Sequence, residues 1–390
     1  MKKKSLPYII YLSIFVITFV LMTFFYDYMS TLFDSFFGVP FYYHILIFFA
    51  AYFLVVMFHE LTHAIAFLLH GIRPKMILIL IFLFYKDTRW HLKIDPKLII
   101  LGGGMVMPNF HQIHDEKDIR YYQKATSFSL MAAPSFTIVS AILMLLLDLI
   151  FFYHLPVFTI FTFYIVVFSA FFTYTSTLSA QGIFGDFVAH KKINDDPIFG
   201  LSVVSQFVDE ITPYLYDEMK KRLSEQRPSD FSIHLLNFYS TLLEKGIHDD
   251  TEIDDFLLEK TKVLAISPVI SRRIARQHQQ ILVLQQAILY LYRCQEDDLM
   301  DQLLQVFSEE LDHIKTKQPV KTYYMKQTNH LIGRIDASDY LTETRPFRLG
   351  LMDLIVSHIP EYQITENDHL KPIQRFEKKE MIHLDNDVLM

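Results

Sequence analysis

The stretch "LVVMFHELTHAIAFLLHG", residues 54–71, sets one carboxylate and three imidazoles in an otherwise apolar, helix-forming run. Ionisable groups in apolar surroundings are costly, and more so at membrane depth. His59, Glu60, His63 and His70 therefore need a reason to be there. His59-Glu60-Leu61-Thr62-His63 is an H-E-x-x-H pentapeptide, and on an α-helix positions i and i+4 stand on one face. Both imidazoles can then reach one Zn²⁺, with one ion per chain. Glu60 lies beside them, where it can take a proton from water instead of binding the metal. His70 follows His63 by seven residues, but the spacing and a missing glycine exclude it from the longer H-E-x-x-H-x-x-G-x-x-H pattern. Next to Gly71, a candidate helix C-cap, it reads as an interfacial histidine favoured by the helix dipole.

The rest of the chain says what surrounds that helix. Of 390 residues, 52% are hydrophobic and 36 are Phe, more than an ordinary soluble domain carries. Up to His190 there are 12 Lys/Arg and 10 Asp/Glu, a balance of +2; the whole chain carries −7, which leaves −9 for the remainder. The pattern is a membrane half followed by a soluble half. Segments 7–26, 41–70, 126–152 and 157–181 approach or exceed the roughly 20 residues that a bilayer needs. The first follows Lys2, Lys3 and Lys4 and shows no small-residue cleavage site, so it reads as an uncleaved span. The loop after it holds Asp27 and Asp34 and no Lys or Arg, whereas Arg73, Lys75, Lys117, Arg120, Lys191 and Lys192 fall on the opposite side. The positive-inside rule then puts both termini in the cytoplasm. Glu60 would lie within the bilayer, about 16 Å above the cytoplasmic end of its helix.

Residues 72–125 do not make a fifth span. "MILILIFLFY" (76–85) is short, and "WHLKIDPKLIILGGGMVMPNF" (90–110) looks like β-structure with a glycine-rich bend. Such backbone survives at membrane depth only when buried in protein or lining a wet cavity. The other reading is a hairpin on the cytoplasmic surface. A zinc hydrolase also needs a third protein ligand and an open position for water. After the fourth span, "TYTSTLSAQGIFGDFVAHKK" (173–192) turns polar, and Gly182 and Gly185 loosen the helix around Asp186. Asp186 is the expected third ligand. His190, His111 and His114 are rivals, and Asp186 could also be the first solvated residue after the span.

Taken together, these residues resemble the site-2 protease family of intramembrane zinc metalloproteases. H-E-x-x-H in a membrane helix is that family's first motif, and "LGGGMVMP" (Leu101 to Pro108) is similar to its glycine-rich membrane β-hairpin. "MAAPSFT" is similar to a Gly-Pro-x-x-Asn helix, with Ala133 for the Gly and Thr137 for the Asn. "FGDF" around Asp186 stands where the family has Leu-Asp-Gly; the family's prolines and substrate-contacting Asn upstream are missing. The resemblance covers about residues 41–190 and implies an all-α polytopic membrane protein with about four transmembrane helices. A membrane-associated β-hairpin region would fill 72–110. It implies Zn²⁺ held by His59, His63 and Asp186, Glu60 as general base, and Gly102, Gly103 and Gly104 receiving an unwound substrate by β-addition. The partner would be a single-span membrane protein or membrane-bound peptide, cut near the cytosolic face in the lipid bilayer of a bacterial cell.

From about 196 the composition changes. "INDDPIFG" (193–200) reads as a linker between a 1–195 membrane domain and an α-helical cytoplasmic domain, 196–390, of six to eight amphipathic helices. That domain is either a docking platform for a substrate or regulator, or an appended stabilising domain. Its acidic balance and the lack of a basic patch argue against nucleic acid. A single cysteine, Cys294, excludes any intramolecular disulfide and reads as a buried helical thiol. The competing functional class is a non-proteolytic metal protein, a transporter or a pseudoprotease scaffold. Glu60 discriminates, because neither needs a general base beside the ligands.

Overall fold

The computed structural model describes residues 26–180, 183–248, 252–277, 280–313, 318–343 and 371–376, with Val16 and Thr23. Most of the expected first span, 7–26, lies outside the described residues, as does Gly182. The chain is mostly helical and divides into two units. The first comprises 1–110 and 121–195, and the second comprises 111–120 and 196–390.

In the first unit, helix α1 (Phe41–Leu69) starts after Pro40 and ends at His70, where Gly71 turns into the left-handed region at φ 72°. Its amphipathicity is inverted relative to a soluble helix. Leu46, Phe49, Ile65, Leu68 and Leu69 face outward, while Ala51, Val55, Val56, His59, Glu60 and His63 are buried. Apolar side chains outside and polar ones inside are what a lipid-facing helix requires. Helix α2 (Glu116–Leu147) carries Pro134 internally and runs on through a π-turn, Asp148–Phe152. Fully buried Asp148 in that turn accepts from Tyr28 Oη at 2.9 Å and from Thr159 Oγ1 at 3.2 Å. Helix α3 (Pro156–Ser176) packs on α1 through Ile165, with Phe161, Phe168 and Phe172 alongside. Among the described residues, α1, α2 with its π-turn, and α3 are long and apolar enough to cross a membrane. That is the makeup of an integral membrane protein.

Between α1 and α2 the chain builds more than a hairpin. Strands β1 (Pro74–Ile79), β2 (Phe82–Lys86), β3 (Trp90–Ile94) and β4 (Gly104–Pro108) form one antiparallel sheet in the order β3-β2-β1-β4. β1 pairs with β2 through Ile77↔Phe84 and with β4 through Ile77↔Val106, which leaves β4 at an edge. Leu80, in the β1–β2 turn, sits at φ 55°, a conformation costly for a branched side chain, and its N–H is anchored on the Gly103 carbonyl at 3.0 Å. The fourth expected span stops at Ser176 instead of 181. There Thr177 and Leu178 close the helix, and a two-strand turn, β5 (Ser179–Ala180) with β6 (Ile183–Phe184), leads into helix α4 (Asp186–Asp195).

"INDDPIFG" stands where the two units divide, at 195/196, but it is helical and not an extended linker. Residues 193–195 finish α4, and Asp196 caps helix α5 (Pro197–Ser205) by accepting from the Ile198 and Phe199 amides, both at 3.0 Å. Asp-Pro at an N-cap and N1 starts a helix, which accounts for the difference. The second unit continues with α6 (Pro213–Ser224), α7 (Ile233–His248), α8 (Asp255–Ile266), α9 (Pro268–Gln277), α10 (Ile281–Arg293), α11 (Asp297–His313), α12 (Gln318–Leu331) and α13 (Ser338–Glu343). The described residues thus hold nine helices after Asp196 against the six to eight expected, partly because Pro268 separates α8 from α9. α10 is buried on nearly every side and packs against α7, α8, α9 and α11. It is apolar, but its 13 residues are too few to cross a bilayer. Cys294, at its C-cap, is buried, and burial pushes its thiol up to about 12, so it is inert as a nucleophile at neutral pH.

Asp254 ties the second unit together. It caps α8 through the Leu257 amide and accepts from Lys220 Nζ at 2.9 and 2.7 Å and from Tyr216 Oη at 2.8 Å. Burial alone would raise its carboxyl, but these bonds hold it below the usual carboxylate range. A carboxylate lowered on folding adds stability above its unfolded pKa, about 3.9, and that stability is lost as pH falls through the folded value. Asp254→Asn is therefore expected to lower the Tm at pH 7 and to flatten the fall in Tm below pH 4. Parallel acid limbs for the two proteins would refute this.

Candidate metal centre

Helix α1 delivers His59 and His63 to the same side, one turn apart, with ring centroids 5.0 Å apart and nearly perpendicular planes. Both are buried, and so is Glu60. Asp186, the first residue of α4, comes to them from the other end of the unit's sequence. Its Oδ2 lies 3.1 Å from His59 Nε2 and 3.5 Å from His63 Nε2. The three ligand atoms all lie within 4.8 Å of one another. Zinc bonds of 2.0–2.1 Å in a tetrahedron imply ligand separations of about 3.3 Å, so both Nε2–Oδ2 distances suit such an ion. The donor set, two imidazoles and one carboxylate, is also borderline-soft nitrogen and oxygen of the kind Zn²⁺ takes.

Close backbone approach makes the meeting possible. A Cβ on Gly185 would overlap the Thr175 carbonyl oxygen and the Ser176 backbone, so only glycine lets this segment press on the end of α3. Gly185 N–H donates to the Leu178 carbonyl at 2.9 Å. Further along α4, His190 Nδ1 donates to the Ser127 carbonyl at 2.8 Å, and Asn194 Nδ2 donates to Ser127 Oγ at 3.0 Å, which moors the helix to α2. His190 is thereby turned to α2 and not to the cluster. His70 also stands apart: its Nδ1 donates to the Ala66 carbonyl at 3.0 Å, and its ring lies against Phe128. His111 and His114 fall in the second unit.

The three glycines of the bend have separate places. Gly102, at φ 59°, closes the 3₁₀ turn Pro96–Leu101 and accepts from Tyr52 Oη. Gly103 holds the β1–β2 turn through Leu80. Gly104, the first residue of β4, lies directly on Glu60: a Cβ there would overlap Glu60 Cγ and the Leu78 carbonyl oxygen. The edge strand thus begins at the buried carboxylate.

Two hydroxyls on α2 complete the surroundings of the histidines. His59 Nδ1 is hydrogen-bonded to Thr137 Oγ1, and His63 Nδ1 to Ser129 Oγ, each at 3.0 Å. Thr137 was legible in the sequence only as the counterpart of an asparagine, and Ser129 was not singled out. The available signal was the recurrence of hydroxyls through an apolar run, "TSFSLMAAPSFTIVS" (126–140). Phe172 closes one side, its ring 5.8 Å from that of His59.

No family model matches the chain, and neither a curated protein nor a solved structure matches it. What the cluster can do follows from its own geometry. It offers three convergent side chains that could hold a metal ion and a buried carboxylate next to them, beside an edge strand.

Because Gly104 touches both Glu60 and the β1 backbone, Gly104→Ala is expected to cost about 1–3 kcal/mol through overpacking. Thermal unfolding in detergent micelles reads this as a lowered Tm. An unchanged Tm would mean that β4 does not press on Glu60.

Proposed function

We propose that this chain is an intramembrane zinc metalloendopeptidase of the site-2 protease kind, cutting single-span membrane proteins or membrane-bound peptides near the cytosolic face. The observation that carries the reading is the convergence of His59, His63 and Asp186 with Glu60 beside them, the histidines and Glu60 on a helix fit to cross a bilayer. His59, His63 and Asp186 would hold the ion, which leaves a coordination position open to water or substrate. When bound, Zn²⁺ supplies Lewis acidity, lowering the pKa of a water and polarising a peptide carbonyl.

The chain's own residues do the rest. Glu60, adjacent to His59 and held in place by β4, takes a proton from the attacking water and returns it to the leaving amine. Its burial excludes bulk water and strengthens these electrostatic contacts. A helical substrate keeps its carbonyls in i→i−4 bonds, so it must unwind before it can be cut. β4, an edge strand among the described residues, can pair with the unwound strand by β-addition. Gly104, Met105 and Val106 on that edge are only half-buried, which leaves backbone for a partner. The arrangement of basic residues supports an orientation with both termini in the cytoplasm.

The test uses the purified full-length protein in micelles or nanodiscs. Zinc is expected to bind at about one equivalent, the stoichiometry of a single three-ligand site. His59→Ala, His63→Ala and Asp186→Ala should each lose it, while His190→Ala should keep it. Glu60→Gln should retain zinc but reduce cleavage of a helical transmembrane substrate by about 100-fold or more, as removal of a general base does. Cleavage by Glu60→Gln at the wild-type rate would reject the mechanism. Zinc binding that survives Asp186→Ala would reject the third ligand.

A further inference from the structure

We infer that Ser129 and Thr137 are positioning residues that fix which nitrogen each histidine turns to the metal; the inference rests on the metal-centre reading above. The argument follows the hydrogens. Thr137 Oγ1 donates its own hydrogen to the Ala133 carbonyl at 2.9 Å, one turn back along α2. Ser129 Oγ donates its hydrogen to the His63 carbonyl at 3.3 Å. A hydroxyl has a single hydrogen, so each oxygen can only accept from the imidazole that it faces. Nδ1 of His59 and Nδ1 of His63 must therefore carry hydrogen. Nε2 is the nitrogen left to each ring, and both Nε2 atoms face Asp186 Oδ2. Nε2 of His59 is hydrogen-bonded to Asp186 Oδ2 at 3.1 Å, and Nε2 is the nitrogen that a bound cation would take. The hydroxyls thus set the orientation of both rings, with Nε2 toward Asp186, before a metal arrives.

The choice of partner matters as much as the geometry. Carboxylates commonly occupy this position behind metal-bound histidines and raise the basicity of the ligand. Neutral hydroxyls fix the tautomer without adding charge, so the donor set carries one negative charge, that of Asp186. A divalent ion in such a set keeps a net positive charge, which favours ionisation of a water. Both hydroxyls come from α2, on either side of Pro134, and both are buried. Sequence spacing on α1 brings the rings together, and α2 decides how they are turned.

The experiment uses the full-length protein in nanodiscs, with Co²⁺ as a spectroscopic probe and a competing chelator to measure affinity. Thr137→Val and Ser129→Ala are each expected to weaken Co²⁺ binding about 10- to 100-fold, the usual effect of losing such a partner, and to shift the visible ligand-field bands. Thr137→Ser, which keeps the hydroxyl, should stay within about 3-fold of wild type, well inside that range. Nitrogen NMR of the ¹⁵N-histidine-labelled, metal-free wild type provides a check that needs no variant to fold. It should report hydrogen on Nδ1 of both His59 and His63. Nδ1 without hydrogen, or Thr137→Val and Ser129→Ala variants that bind Co²⁺ like wild type with unchanged bands, would overturn the inference. Wild-type protein that binds neither Co²⁺ nor Zn²⁺ would instead overturn the metal-centre reading, and this inference with it.

Discussion

The first unit is organised around the cost of keeping His59, Glu60 and His63 inside an apolar helix. An uncompensated polar group in such surroundings costs on the order of several kcal/mol, and a charge costs more. Each polar atom on the inner face of α1 must find a partner, and the neighbouring elements are placed accordingly. α2 supplies hydroxyls to the two Nδ1 atoms, and the N-terminus of α4 supplies a carboxylate to the two Nε2 atoms. The apolar side chains of α1 are displaced outward, which would destabilise a soluble protein and suits one surrounded by lipid. Asp148 follows the same rule at the end of α2, where Tyr28 and Thr159 satisfy its oxygens.

Two glycines turn that requirement into a shape. Gly104 lets an edge strand lie on Glu60, and Gly185 lets the start of α4 press against the end of α3. Neither works by flexibility, since both are places where a Cβ has no room. The consequence is that three segments distant in sequence, near residues 60, 104 and 186, share one small volume. Charges gathered in such a volume are little screened by bulk water.

The second unit obeys different chemistry. Its helices bury apolar faces against each other, with Tyr239, Tyr290, Phe238 and Phe307 almost wholly enclosed, and its charged groups form ion pairs such as Arg276 with Glu310. Capping decides its boundaries. Asp196, Thr212 and Asp254 each accept from backbone amides at a helix start. These are ordinary soluble-protein devices, in keeping with a composition that turns polar and acidic after the first half.

By itself the sequence determined what is local. The i, i+4 spacing of His59 and His63, the apolar lengths of α1, α2 and α3, the Gly71 turn and the amphipathic helices after Asp196 all follow from periodicity and residue type, which short-range geometry translates directly. It was incomplete where one short signal had two meanings: Asp-Pro at 196–197 marks the division between the units, as read, and also starts a helix. "LGGGMVMP" read as part of a hairpin, and it led into the fourth strand of a sheet. Only the tertiary structure decided what depends on residues far apart in the chain. Asp186 could be one of several candidate ligands until Gly185 and the mooring of α4 at Ser127 brought it within 3.5 Å of both imidazoles. The hydroxyls of Ser129 and Thr137 carried no distinguishing mark in an apolar run, because their role depends on which rings α2 happens to face. Ligand type is a property of residues, whereas ligand geometry is a property of packing.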